Sequence, residues 1–501
     1  MNQVGTLLSG VLQEDFQQVK TMFDRSSDFK YREFEINSSQ DAVLLFLDGL
    51  VNMDRLNSNI LNPLLSFSGI LLSQPTFPIE LEKVILSAPI NKGETIQDLV
   101  EHILVGDTVL LVDGIKQSLI ISEKSWEQRA VEEPATEAVV YGPREGFIEN
   151  IRTNTSLIRR RLKTPQLKME SMKIGTLSQT EVVITYLDGI AEPSVVEEVR
   201  SRLNRIQIDA IEESGYIQEF IEDNPYSVFP QVLQTERPDR VVGNLLEGRI
   251  GILCDNTPFV LIVPITFYQL MNATEDYYER FLLASAVRIL RYLFLGIALL
   301  FPSIYIAVVT FHQELLPTNL LFSVAAARES VPFPVIVAAL LMEISFEALR
   351  EAGIRLPRPI GGAVSIVGAL VIGQAAVQAG IVGAPLVIVV SITGIASFMF
   401  PSYSLTGAIR LLRFPMMILA AALGMYGILL GIFFILIHLV RLRSFGVPYL
   451  SPLAPFTFSE LKDVLIRAPW WGMTDRPSDT VKKNTNRLKK WLRPQSPNRK
   501  N

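Results

Sequence analysis

From Tyr292 to Phe311 the chain reads YLFLGIALLFPSIYIAVVTF, twenty residues without a charge. A helix of about 20 apolar residues crosses the roughly 30 Å hydrocarbon layer of a bilayer, so this stretch divides a soluble N-terminal half from a membrane domain. No comparable stretch precedes it, and Arg288 and Arg291 stand just ahead of it, where they are expected to reach headgroups. Beyond it there is no charge between Arg358 and Arg410, which leaves room for two crossings, near 360–379 and 385–400, turning at Gly380, Gly383 and Pro385. A last span is expected near 414–439, followed by Arg441 and Arg443, which makes four in all. Composition points the same way: 49% of the 501 residues are hydrophobic and 19% charged, with a mean hydropathy of +0.30, too apolar for an ordinary soluble protein.

Between the first two spans, PFPVIVAALLMEISFEALREAGIRLP carries Glu343, Glu347 and Glu351 at helical spacing, with Arg350 among them. The spacing predicts an amphipathic helix over 333–352, interfacial or re-entrant, because carboxylates at membrane depth must face water, a partner or a pore. Arginines before the first span and after the last place both chain ends in the cytoplasm, although Arg355, Arg358, Arg410 and Arg413 then fall on the other side. The N-terminus shows no cleavable apolar segment, so no signal peptide is expected.

The soluble half repeats itself. AVLLFLDGLV at Ala42–Val51 matches VVITYLDGIA at Val182–Ala191, and GDTVLLVDGIKQSLII from Gly106 matches GRIGILCDNTPFVLIV from Gly248. Asp48 to Asp188 spans 140 residues and Asp113 to Asp255 spans 142, so the two matches keep one offset. Helical patterns lie between them, in TIQDLVEHIL from Thr95 and PSVVEEVRSRLNRI from Pro193. The expected fold class is therefore an α/β half of two tandem related subdomains followed by an α-helical transmembrane domain. The expected boundaries are 1–130, a connecting helical segment 131–165, 166–275, a membrane domain 280–440 and a basic tail 441–501.

Carboxylates at strand ends suit ligand or metal sites, but Asp-Gly and Asp-Asn also suit tight turns, and turn chemistry is the weightier reading. GxGxxG, GxxxxGK[ST] and GxSxG are all absent. The one cysteine, Cys254, permits no intramolecular disulfide and reads as a core residue, while His102, His312 and His438 are too scattered for a local metal site. No catalysis, cofactor or metal is expected. The net charge of -5 argues against a nucleic-acid partner. The basic run Arg159, Arg160, Arg161 and Lys163 reads as a solvated helix face.

In the second span, PIGGAVSIVGALVIGQAAVQAG, the small residues Gly361, Ser365, Gly368, Ala369 and Ala376 gather on one face, which favours close helix packing. Val367, Val371, Gln374 and Gln378 lie opposite, and paired amides require partners in lipid. They either bond a neighbouring helix or, repeated round an axis, form a valine constriction beside a ring of amides. The tail from Arg441 holds 13 Lys/Arg against 4 Asp/Glu. It suits an anionic leaflet, with Trp470 and Trp471 as interfacial anchors, or a disordered end over about its last 25 residues.

Several segments together resemble the A subunits of the spore nutrient-germinant receptors of endospore-forming bacteria, the GerA family: EPATEAVVYGPREGFIENIRTNTSLIRRRL from Glu133, FIEDNPYSVFPQVLQTERPDRV from Phe220, DYYERF from Asp276, SIYIAVVTFHQELLPTNL from Ser303, ESVPFPVIVAALLMEISFEALREAGIRLP from Glu329, VGALVIGQAAVQAGIV from Val367 and SFGVPYLSP from Ser444. The resemblance runs collinearly from about Glu133 to Pro452. It implies a multi-pass protein of the spore inner membrane with both termini on the core side. It also implies a transporter-like B subunit that takes the germinant, a lipoprotein C subunit, and a homo-oligomer, a pentamer, that passes monovalent cations. It gives Val367, Val371, Gln374 and Gln378 a gate role and Glu343, Glu347 and Glu351 a cation-attracting mouth. A related accessory channel-like protein of the dipicolinate-release system shares these motifs. A non-conducting scaffold for the B and C subunits is the reading from another class, and a secondary transporter would need inverted repeats that the spans do not show.

Overall fold

The computed structural model describes residues 6–36, 40–66, 82–86, 90–124, 134, 136–355, 371–489 and 492–494. In the N-terminal half, β1 (Phe29–Ile36), β2 (Gln40–Leu47), β3 (Ile90–Gly93), β4 (Thr108–Val112) and β5 (Ser118–Ile121) form one sheet. A second consists of β6 (Leu167–Ile174), β7 (Thr180–Leu187), β8 (Leu233–Thr235), β9 (Ile250–Cys254) and β10 (Val260–Val263). The strand orders are β1-β2-β4-β5-β3 and β6-β7-β9-β10-β8, one topology used twice, and every pairing is antiparallel. The registers agree as well: Leu44 faces Leu110 in the first sheet and Ile184 faces Ile252 in the second.

Helices cover both faces of each sheet, so the central strands are apolar on both sides and read as runs rather than alternations. In the first unit α1 (Leu12–Met22) and α2 (Ile96–Val105) pack on the face carrying Val43, Leu45 and Leu47. The helical turns from Met53 to Leu65 cover Ala42, Leu44 and Phe46 on the other face. The second unit has α3 (Ile151–Arg161), α4 (Pro193–Asn204), α5 (Ser214–Ile221) and α6 (Pro238–Leu245). There α3 and α6 take the places of α1 and α2, and α4 and α5 cover the opposite face. The segment read as a connection thus supplies α3, which packs as α1 does.

The repeated aspartates serve turns and helix starts. The residue after each adopts a left-handed conformation, with φ of 83° at Gly49, 78° at Gly114, 76° at Gly189 and 68° at Asn256, which glycine and asparagine tolerate best. Asp113 accepts a hydrogen bond at 3.1 Å from the amide of Leu12 at the start of α1, and Asp255 accepts one at 3.1 Å from that of Ile151 at the start of α3. The basic run is not a solvated face, because α3 lies against the first unit: Arg159, 1% exposed, holds both carboxylate oxygens of Asp28 at 2.8 Å. Arg161 pairs with Glu145.

The C-terminal half is helical: α7 (Phe281–Phe311), α8 (Thr318–Ala326), α9 (Val335–Arg355), α10 (residues 371–378), α11 (Ala384–Ser397) and α12 (Tyr403–Arg441). Two of these, α7 and α12, are long and apolar enough to cross a membrane, so four spans are not found among the described residues. The first expected span falls within α7, whereas the last straddles Gly424, where α12 doubles back and sets Gly431 against Met416. The third is α11, whose 14 residues reach about 21 Å at 1.5 Å per residue, short of the hydrocarbon thickness. Of the second, residues 371–378 are helical and 356–370 lie outside the described residues.

After α12 the chain folds back onto the second α/β unit. A short hairpin, β11 (Arg443–Ser444) with β12 (Val447–Pro448), leads to the wholly buried Tyr449, whose hydroxyl donates to the carbonyl of Pro230 at 2.7 Å. Ser444 donates to Gln231 at 2.8 Å and Thr480 to Glu247 at 2.6 Å, and Val481 is buried in the core of that unit. Trp470 donates its indole N–H to Tyr277 at 3.1 Å. Residues 441–489 are therefore a docked extension rather than a solvated tail. Two of its arginines bond carbonyls of the body, Arg467 that of Tyr277 at 3.1 Å and Arg476 that of Leu246 at 2.8 Å.

Candidate functional site in the helical half

The helical half places charge where its composition alone would put none. Glu343 of α9 is fully buried and accepts from Nη1 of Arg413 in α12 at 2.7 Å. One turn further along α9, Glu347 accepts from Nε of Arg410 at 2.8 Å and from its Nη2. Carboxylates four residues apart on one helix meet arginines three apart on the other, because both spacings keep side chains on one helical face. Two ion-pair rungs thus join α9 to α12.

The inner rung reaches a third helix. Pro302 in α7 has no N–H to donate to the carbonyl four residues earlier, that of Ala298. Arg413 supplies the missing donor, its Nε lying 2.8 Å from Ala298 O. A buried charge is tolerated only when paired and hydrogen-bonded, and both needs of the Arg413 guanidinium are met by neighbouring helices. The rung is not saturated: Oε1 of Glu343 and Nη2 of Arg413 are buried without hydrogen-bond partners among the described residues. Arg350 rests on the ring of Phe398 at 4.9 Å, tying α9 to the end of α11.

A second ionic centre sits where the halves meet. Asp276 is buried and accepts from Nε of Arg288 and Nη1 of Arg291 at 2.9 Å and from Nη2 of Arg291 at 3.0 Å. Arg288 also reaches the side chain of Asp463 at 2.7 Å and its carbonyl at 2.8 Å, which brings the docked extension into the same cluster. Arg291 bonds the carbonyl of Met271 at 2.8 Å. These arginines, expected at headgroups, are turned inward, since the first three turns of α7 lie beside the acidic segment Thr274–Tyr277. Tyr277 donates to Asp463 at 2.9 Å, and burial pushes its phenol well above the usual tyrosine range. The cluster ties α7 to the α/β half and to the docked extension.

The residues singled out in the sequence are distributed unevenly. Glu343 and Glu347 are held by arginines, while Glu351 is exposed and accepts from Arg355 on its own helix at 2.6 Å. Val371, Gln374 and Gln378 share an exposed face of α10, and Ala376 turns inward. Gly373 lies on the packed side, where an added Cβ would stand 3.3 Å from Val387 of α11. Gly361, Ser365, Val367, Gly368 and Ala369 lie outside the described residues. Sequence reasoning passed over Arg410, Arg413 and Asp276 as partners. The available signal was the match between two arginines three apart and two glutamates four apart, both set in apolar surroundings. Among the described residues there is no cluster of His, Cys, Asp and Glu able to hold a metal ion.

A twice-used α/β unit whose aspartates make turns is joined through a buried ionic centre to apolar helices, which defines a two-part protein. The family model described as Bacillus/Clostridium GerA spore germination protein matches residues 17–479, and the chain belongs to that family. It is 50% identical over 470 residues to the uncharacterized membrane protein YfkQ of Bacillus subtilis (strain 168), covering 94% of this chain and 91% of the relative. It is 46% identical over 494 residues to spore germination protein KA of the same organism, covering 98% and 90%. Among solved structures it is similar to the N-terminal domain of the A subunit of the Bacillus megaterium spore germinant receptor GerK3, at 36% identity and a TM-score of 0.43, covering 53% of this chain and 99% of that one.

Proposed function

We propose that the chain is the A subunit of a nutrient-germinant receptor of the spore inner membrane, where it converts nutrient sensing by partner subunits into opening of a monovalent-cation channel built from several copies of itself. In this reading α7 and α12 cross the bilayer, a transporter-like B subunit takes the germinant, and a lipoprotein C subunit completes the complex. A five-membered ring suits the family resemblance.

The observation that carries the reading is the ion-pair ladder between α9 and α12, anchored on the carbonyl that Pro302 frees. A switch needs an element with two arrangements whose balance a ligand shifts. Paired, Glu343 and Glu347 offer no net charge to a passing cation. Separation of α12 from α9 would bare the carboxylates, and a ring of such groups concentrates cations. The cluster of Asp276, Arg288, Arg291 and Asp463 would transmit movement of the α/β half to α7.

Reconstitution of the purified chain in liposomes, alone and with its partner subunits, tests this by reading oligomeric state and potassium flux together. Flux from an intact ring, raised when the ladder is broken by Arg413→Gln, which bares the Glu343 carboxylate, is the expected result. A second reading is favoured by the same pairing, since carboxylates fully engaged by arginine suit a static scaffold. A well-formed complex with no flux in either form would establish the scaffold and end the channel reading.

A further inference from the structure

A cleft of about 910 Å³ opens where the last two turns of α12 meet the second α/β unit. Its α12 wall is formed by Phe434, Ile437, His438 and Arg441, at i, i+3, i+4 and i+7 on one helical face. Opposite stand Ser194, Val195 and Glu198 in the first turns of α4, together with Arg202, Asp223 and Arg443.

The charge balance of the cleft is decided by who is already engaged. Arg202 takes both acids, holding Glu198 at 2.7 Å and Asp223, and stacks on Phe445 with 4.2 Å to its ring centre. His438 is fixed by Ser227 at 2.8 Å and lies beside Phe229. That leaves Arg441 and Arg443, both exposed. Arg443 bonds a single backbone carbonyl, that of Gly446, at 3.3 Å, and neither arginine forms an ion pair among the described residues. The start of α4 adds the positive end of a helix that has no side-chain cap.

The cleft is also amphipathic along its length. Phe434 is 65% exposed and Ile437 38% exposed, and about 10 Å of helix separates Phe434 from Arg441. An apolar floor at one end and two uncommitted guanidiniums at the other match a ligand with hydrocarbon below and a phosphate above, and arginine suits phosphate by its paired donors. We propose that this cleft binds the headgroup of an anionic phospholipid, with phosphate on Arg441 and Arg443 and acyl carbons on Phe434 and Ile437. The proposal rests on the reading that α12 crosses a bilayer.

The test uses the full chain in a mild detergent. Its melting temperature is read with phosphatidylglycerol, with phosphatidylcholine and with inorganic phosphate, and co-purifying lipid is counted by mass spectrometry. Phosphatidylglycerol is expected to raise the melting temperature and to be retained, with phosphatidylcholine and phosphate giving little. At about 1 kcal/mol per basic residue near a charged membrane surface, Arg441→Gln weakens binding about fivefold and the double variant with Arg443→Gln about thirtyfold. Ser194→Trp, which fills the cleft and leaves its charges in place, is expected to lower retention as well. Lys483→Gln, on the exposed extension, is expected to change nothing. Equal stabilisation by phosphate would make the site an anion site without lipid. Equal effects of Lys483→Gln and Arg441→Gln would reduce the interaction to non-specific charge, and both results overturn the proposal. Resistance of the chain to extraction from liposomes by carbonate reads membrane insertion separately. Wild type that is extracted sinks the bilayer reading, whereas variants that stay inserted but lose lipid confirm the cleft.

Discussion

Arg413 of α12 donates its Nε to the carbonyl of Ala298 in α7 at 2.8 Å, filling a place in the helix ladder that Pro302 leaves empty. The same guanidinium holds Glu343 of α9 at 2.7 Å, so one side chain joins three helices. Removing one member of a buried pair strands the other, at a cost of about 3 to 5 kcal/mol. Glu343→Gln and Arg413→Gln should each lower the unfolding free energy of the detergent-solubilised chain by an amount in that range. The double variant should cost clearly less than the sum, and strict additivity in the cycle would show that the pair is not coupled.

A second prediction concerns the bend in α12. Gly424 has φ of 62° and ψ of -141° and joins two helices that double back on one another, so that Gly427 and Gly431 lie against Leu419 and Met416. This region is nearly exclusive to glycine, and a side chain there costs about 1 to 3 kcal/mol. An added Cβ would also stand 3.0 Å from Nε2 of His312. Gly424→Ala should therefore destabilise the chain by that amount or open the turn between the two parts of α12, and spin-label distances across the turn distinguish the two. Unchanged stability and unchanged distances would remove the bend as a structural requirement.

These two sites show how far the sequence could be read. The duplication was legible because Asp48 and Asp188, like Asp113 and Asp255, keep one offset and each precedes a left-handed residue in a tight turn. Local chemistry leaves a local signature. The partners of Glu343 and of Arg288 were not legible, because Arg413 lies 70 residues from Glu343 and Asp463 lies 175 from Arg288; such pairings depend on packing. Charge-free length marked α7 and α12 but overstated α11, since it reports hydrophobicity and not where a helix stops. The docked extension was misread for a related reason. Its net charge says nothing of Tyr449, which is buried against Pro230.

A third prediction follows from Cys254 in β9. Burial pushes its thiol up to about 12 from 9.0, and burial likewise raises Tyr186 to about 12 from 10.0. A group whose pKa is raised by folding stabilises the fold below its unfolded value and loses that contribution as pH climbs toward the folded one. The contribution of these two groups should thus be constant up to about pH 9 and decline above it, and Cys254→Ala should remove part of the decline. At pH 8 the thiol of the folded chain should resist iodoacetamide and react only after unfolding. Rapid labelling of the native chain would show that β9 is open to solvent.

The last prediction concerns α10. Gly373 and Ala376 turn toward the packed side, while Val371 at 55% exposure shares the outer face with Gln374 and Gln378. A single chain gives this face nothing to cover it among the described residues, and amides set beside valine suit a narrow, wettable path once several copies meet. Val371→Ala should widen a constriction formed there and give cation leak without nutrient, whereas Val371→Trp should block flux. Because the residue is exposed in the isolated chain, neither change should move its unfolding free energy by more than about 0.5 kcal/mol. Leak in liposomes from a fully folded Val371→Ala chain would assign this face to the path. Wild-type germinant dependence in both variants, with stability intact, would assign it to a contact surface between copies instead.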